Sequence, residues 1–190
     1  MPRRPDPSLD KRVLDAAWRL WKGGDKRLSL RSLARAAGTN TPAIYRHFRG
    51  RKEILRALLL RLRHDLYQRM AASATMVDAF DAYLDFALHH PREYQMFYEH
   101  QYELLAKWRP GRSARDREKL PAFFWGLNKL ADELGGSPES HIPLAVTLWA
   151  LVHGTASLLI SRAVEEELEA EMRAESRRAV RVLMDAAAKR

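Results

Sequence analysis

At 190 residues the chain is long enough for one large core or two small domains. It has no cysteine, which excludes disulfides and thiolate metal sites and fits a reducing cytoplasm; no uninterrupted apolar run approaches the ~18 residues of a membrane span, and the Pro- and Arg-rich start from Met1 to Asp10 lacks the apolar stretch of a signal peptide. The net charge of +9 is unevenly placed: residues 1–70 hold 18 of the 33 Lys and Arg but 6 of the 24 Asp and Glu, a local +12 against −3 for the remainder, the footprint of a nucleic-acid-binding module on a near-neutral body, or of solvated helix faces in an Arg-rich chain.

The hydrophobic period is helical almost throughout, with no alternating strand pattern. A first helix spans Leu9 to Lys22, with Val13, Ala17, Leu20 and Trp21 on one face and Gly23-Gly24 as its stop. A second follows Ser29, a good N-cap, and ends at Gly38. A third follows Asn40, carries Pro42 in its first turn and runs from Thr41 to about Phe48. A fourth covers about 51–72, with Ile54, Leu55, Leu58, Leu62, Leu66 and Met70 inward. Further helices are expected at Met76–His89, Pro91–Lys107, about Ala114–Leu134, Ile142–Val164 and Glu167–Ala188, with loops at Arg109–Ser113 and Gly135–Glu139; Pro121 either kinks the seventh helix or starts it. The expected fold is therefore all-α: a three-helix helix-turn-helix domain over residues 1–55, then a helical bundle over 56–190, about nine helices in all, with the fourth linking the halves.

Residues 28–55, LSLRSLARAAGTNTPAIYRHFRGRKEIL, carry the chemistry. Two short helices meet at a tight turn around Gly38, and Ala34 and Ala37 let the second pack closely on the first. That second helix turns Ile44 and Phe48 inward and offers Thr39, Thr41, Ala43, Tyr45, Arg46 and His47 outward. Small and polar groups at its start suit base edges, and the donors that follow suit phosphates. Arg46, Arg49, Arg51 and Lys52 cluster next, the last two in the first turn of the fourth helix, where backbone N–H groups also favour a phosphate.

These residues closely resemble the TetR family of bacterial transcriptional regulators. The match rests on Arg31, Leu33, Ala34, Ala37-Gly38, the run Ile44-Tyr45-Arg46-His47-Phe48, Arg51 and Glu53-Ile54-Leu55, within residues 9–60. The resemblance implies that Arg31 reaches a base or phosphate, that Thr41, Pro42 and Ala43 face base edges, that Tyr45 and His47 touch phosphates, and that Arg51 does so from the fourth helix. Thr39, Arg46 and Lys52 join the candidate set from their exposure and charge rather than from the family.

The C-terminal half is less diagnostic. Trp149, His153 and Gly154 resemble the Trp-x-x-x-His-Gly signature of one TetR C-terminal subgroup, as does the stretch from His90 to Phe97. The helix from Ile142 is apolar nearly all round, so both of its sides need covering, and a second subunit could supply one cover. The expected homodimer pairs the helices near 142–164 and 167–188, the first through Gly154, Ala156 and Ser157 and the second through Leu168, Met172, Ala179, Leu183 and Ala186. Residues 80–125 hold 11 of the 17 aromatics. They are either plain core or the lining of a pocket for a largely apolar small molecule, with Phe86, Tyr94, Phe97, Tyr98, Tyr102, Phe124, Trp125, Trp149 and His153 as candidates. Trp149 and His153 share a face and border that pocket or brace the bundle.

The expected function is sequence-specific binding of an inverted-repeat duplex by a cytoplasmic homodimeric repressor, released by a small effector. A ligand-independent or non-specific DNA-binding protein and a helical-bundle enzyme are the alternatives. No catalytic residue, cofactor, metal site or membrane contact is expected: His89 and His90 are adjacent, Asp85–His89 is an isolated i,i+4 pair, and no Glu-x-x-His, phosphate loop or nucleophile elbow stands out.

Overall fold

Three short polar side chains start helices by the same device. In the computed structural model, which describes residues 8–25, 27–96, 121–163 and 165–189, the N–H of Ser32 donates to Ser29 Oγ at 3.1 Å, that of Ala43 to Asn40 Oδ1 at 2.8 Å, and that of Asp78 to Thr75 Oγ1 at 3.1 Å. Each satisfies one of the donors that a helix start leaves open. The helices are α1 (Leu9–Lys22), α2 (Leu30–Ala36), α3 (Thr41–His47), α4 (Arg51–Ala71), α5 (Met76–His89), α6 (Pro121–Leu134), α7 (Ile142–Ile160) and α8 (Glu166–Ala188), with a 3₁₀ turn at Pro138–His141. Residues 91–96 are also helical, and no strand occurs among the described residues.

The chain divides into two compact units, residues 1–61 and 62–190, with the division inside α4. In the first unit α1, α2 and α3 pack around Val13, Ala17, Leu28, Leu33, Ile44, Ile54 and Leu58, each at most 1% exposed. The turn between α2 and α3 is closed by two bonds: Gly38 N–H to the Arg35 carbonyl at 3.3 Å and Thr39 N–H to the Ala34 carbonyl at 2.9 Å. This paired closure needs a left-handed residue between the helices, and Gly38 has φ +64°. A Cβ there would meet nothing within 4 Å, so Gly38→Ala costs backbone strain alone. About 1 kcal/mol is expected, a fall of roughly 2–4 °C in melting temperature, and an unchanged melt would show that the turn tolerates an L side chain.

In the second unit α5 lies against α6, α7 and α8. Its core includes Leu66, Phe80, Tyr83, Leu84, Leu127, Leu130, Leu148, Val152, Ala156 and Val180. One edge of α5 is a ladder of carboxylates facing α8: Asp85 takes Arg173 at 2.6 Å, and Asp81 and Asp78 take Arg177 at 3.0 and 3.6 Å. Between α7 and α8 the buried Thr155 and Ser176 hydroxyls bond at 2.9 Å, and Thr155 donates on to the Leu151 carbonyl at 2.8 Å. Ser176 is thereby the donor of the pair.

Several expectations need correction. The Gly135–Glu139 loop includes the start of the 3₁₀ turn, because Ser137 caps it as Pro138 enters. α7 stops at Ile160, short of 164, where Arg162 takes φ +52° and the Ala163 N–H returns to the Leu158 carbonyl. By length and composition the stretch Pro138–Ile160 would suffice to cross a membrane, although polar residues interrupt its apolar run. One side of α7 is nonetheless committed to the protein core through Leu148, Val152, Ala156 and Leu159. The expected helices over 97–107 and 114–120 and the loop at 109–113 lie outside the described residues.

Candidate functional site

The candidate nucleic-acid face is built on α3. Asn40 fixes where the helix starts, and Ile44, 0% exposed, and Phe48, 6%, fix its rotation by seating in the core. With those anchored, Pro42, Tyr45 and Arg46 point outward and Thr41 is half-exposed. Tyr45 is 56% exposed, unusual for an aromatic with a core close by. Arg31 on α2 and Arg51 and Lys52 in the first turn of α4 are exposed as well, while Thr39 and His47 are half-buried. Two members of the predicted set differ from their expected surroundings. Ala43 is 6% exposed and belongs to the core, because the face that holds Ile44 also holds its neighbour where α2 and α3 meet. His47 is not simply solvated: its Nδ1 bonds Asp10 Oδ1 of α1 at 2.6 Å.

In the second unit the structure assembles a polar node from part of the predicted ligand set. His153 Nδ1 lies within hydrogen-bond distance of the Tyr94 hydroxyl, at 2.9 Å, and of the Tyr83 hydroxyl, at 3.1 Å. The Trp149 and His153 rings lie 5.8 Å apart, and Tyr83 meets Tyr94 edge-on at 6.0 Å. Phe86 is buried elsewhere on α5, beside His90 at 5.2 Å and under the Arg69 guanidinium at 5.7 Å. Phe124 meets Phe123 edge-on, and Trp125 is partly buried against the same core. Phe97, Tyr98 and Tyr102 lie outside the described residues.

Two members of this region were missed in the sequence. Tyr83 counted among the eleven aromatics of residues 80–125 but not among the named candidates, yet its hydroxyl completes the node. Arg63, on α4, is 4% exposed, and burial lowers its guanidinium to about 10, which leaves it charged at neutral pH. Its register places it on an apolar stripe, four residues after Leu59 and three before Leu66, which marks the position without fixing its burial.

Burial pushes both phenols above their ordinary range and the His153 imidazole down to about 4, so all three are neutral at pH 7. A histidine lowered from about 6.5 in the unfolded chain makes the folded state lose stability as pH falls, because the unfolded chain takes the proton first. The contribution is complete above about pH 6.5 and is lost towards pH 4, to the extent of roughly 2–3 kcal/mol. Thermal melts between pH 4 and 7 are expected to show this acid limb in the native chain and a shallower one in His153→Gln; equal slopes would place the acid sensitivity elsewhere.

The Asp85–His89 pair is spent structurally, His89 Nδ1 donating to the Asp85 carbonyl at 2.8 Å while the Asp85 carboxylate holds Arg173. Among the described residues no group of three metal-ligating side chains comes together.

A capped turn-linked helix pair with an exposed basic face, followed by a helical bundle, defines a helix-turn-helix regulator in outline. Residues 13–58 match the model of bacterial regulatory proteins of the tetR family, and residues 76–183 match that of the tetracyclin repressor-like C-terminal domain. The chain belongs to the TetR family, as the Ala37-Gly38 and Tyr45-to-Phe48 motif implied. Its fold is shared by the crystal structure of SCO4313, itself described as a proposed regulatory protein, at 21% identity over 95% of this chain and 98% of that one, with a TM-score of 0.69. No curated protein sequence matches the chain significantly.

Proposed function

We propose that the chain is a cytoplasmic, homodimeric, sequence-specific DNA-binding repressor that a small, largely apolar molecule releases from its operator. The observation that carries this reading is the outward face of α3. Pro42, Tyr45 and Arg46 are held exposed by a helix whose start and rotation are both fixed, with Arg31, Arg51 and Lys52 on neighbouring elements of the same basic unit. Thr41 and Pro42 are assigned to base edges, and Tyr45, Arg46, His47, Arg51 and Lys52 to the backbone. Ala43 is left out as a direct contact because its methyl is used in packing.

One such helix reads few base pairs, so usable specificity calls for two half-sites about one helical turn apart and hence for a dimer. α7 supports that reading: Val146, Ala150, Gly154 and Leu158, at four-residue spacing, form an exposed stripe opposite its buried one. A Cβ on Gly154 would meet nothing within 4 Å, which lets a partner helix approach. Ala156 is not part of this face, being 0% exposed in the chain's own core. On α8, Leu168 and Val182 are exposed and Met172 and Ala179 partly so. The node of Tyr83, Tyr94, Trp149 and His153 among aromatic side chains supports an effector site of apolar walls with a few polar anchors. The effector acts to the extent that it binds the two DNA-affinity states unequally.

Selection of duplexes from a random pool by the purified protein, near physiological salt, tests this directly. An inverted-repeat consensus is expected. Tight binding at low salt that yields no consensus and collapses as salt rises would replace the reading with non-specific duplex binding.

A further inference from the structure

The first unit is basic, and each carboxylate described in it accepts from a definite donor. Asp15 takes the Arg61 guanidinium, Asp25 Oδ1 takes the N–H groups of Arg27 and Leu28 ahead of α2, and Glu53 takes the Arg49 N–H. Those three partners serve the fold. Asp10 differs, because its partner is His47, a residue assigned above to a DNA phosphate. The two are 37 positions apart, and the contact joins the first turn of α1 to the last residue of α3. The imidazole is 15% exposed and the carboxylate 58%.

The chemistry of this pair is constrained. An ionised carboxylate only accepts, so Nδ1 carries the hydrogen and donates to Asp10. That leaves Nε2 as the ring nitrogen for a second partner. A phosphate oxygen also only accepts, so a ring that touches both must hold a hydrogen on each nitrogen. The DNA-bound imidazole is then an imidazolium between two anions, with charge-assisted bonds on either side. A histidine whose second nitrogen is held by a carboxylate is fixed in orientation as well as in tautomer. Without Asp10 the ring would have to be ordered, and protonated, by the phosphate alone.

We propose that Asp10 is a positioning residue for DNA binding: by holding Nδ1–H of His47 it aims Nε2 at the backbone and supports the imidazolium that the phosphate contact requires. The proposal rests on the reading of His47 as a phosphate contact. It runs against simple electrostatics, under which removing any carboxylate from a DNA-binding unit strengthens binding.

The test is a two-residue cycle on the 190-residue chain with the selected operator at fixed salt, using Asp10→Asn, His47→Gln and the double variant. Asp10→Asn is expected to weaken operator binding on the order of tenfold per half-site, and so about a hundredfold for a dimer, the worth of one charge-assisted bond at each. In the His47→Gln background the same change is expected to cause no loss and, through the removed charge, a slight gain. ¹⁵N ring spectra are expected to show His47 protonated at Nδ1 in the free protein, protonated at both nitrogens in the complex, and without a fixed tautomer in Asp10→Asn. Melting temperatures exclude unfolding as the cause. If His47→Gln weakens binding while Asp10→Asn does not, or if the two losses add, the role of Asp10 is overturned and the phosphate contact stands. If His47→Gln binds like the native chain, the phosphate contact itself fails and the inference falls with it.

Discussion

Tyr45→Ala is expected to weaken operator binding about a hundredfold while moving the melting temperature little. The side chain is 56% exposed on α3, so its removal opens no cavity, and surface changes of that kind stay within about ±0.5 kcal/mol. What it gives up is the proposed bond to DNA. A hydrogen bond to a charged group is worth about 1.5–3 kcal/mol, and each 1.4 kcal/mol is a factor of ten. A dimer loses the bond in both half-sites, which turns about tenfold per site into about a hundredfold for the complex. Tyr45→Phe separates the two parts of the side chain: if the hydroxyl is the donor, Phe reproduces most of the loss. Fluorescence anisotropy on the selected duplex, alongside calorimetry of the free protein, reads both quantities. Native affinity in Tyr45→Ala would remove Tyr45 from the interface and leave its exposure unexplained.

The contrast between Tyr45 and Ala43 shows what was legible and what was not. The start of α3 could be read because Asn40 and Pro42 are local signals, each acting within a turn of itself. The seating of Ile44 and Phe48 followed from apolar period alone. Ala43 misled because its size suits either a base edge or a close helix contact. Only the angle at which α2 meets α3 decides between them, and that angle is a tertiary fact. The same limit explains the end of α7. Helices that stop at glycine announce it, as at Gly38, but Arg162 takes the left-handed conformation at φ +52° with nothing in its chemistry to mark it. Arg63 is the third case. A cation in an apolar stripe is usually taken as a snorkelling surface residue, and its burial depends on partners distant in sequence.

The candidate sites divide along the same line. The proposed DNA face lies within 28–55, one continuous motif, so its candidates could be named together from that motif's resemblance to the family and from exposure. The polar node joins Tyr83, Tyr94, Trp149 and His153 across 70 positions, and no spacing rule connects them. Trp149 and His153 were visible as a pair because they are one turn apart on α7. Tyr83 acquired its role only when α5 packed against α7, bringing its hydroxyl within 3.1 Å of the imidazole.

Leu158→Glu is expected to convert the proposed dimer to monomers at micromolar concentration with helical content retained. Leu158 is 43% exposed in the single chain, so a carboxylate there remains solvated in the monomer and costs it little. In a dimer the exposed stripe of Val146, Ala150, Gly154 and Leu158 becomes an interior. Two-fold symmetry then doubles every change: two leucines are lost, about 1 kcal/mol for the exposed part of each, and two carboxylates are desolvated without partners. The lost burial amounts to about 2 kcal/mol, a weakening of dimerisation by about thirtyfold, to which the desolvated carboxylates add. Operator affinity is expected to fall with it, since a monomer keeps one half-site, and the loss is expected to shrink as protein concentration rises. Light scattering and sedimentation measure the mass, and circular dichroism checks the fold. A variant that stays dimeric would move the interface off this stripe of α7. A monomer that still bound the inverted repeat at native affinity would instead separate DNA reading from dimerisation.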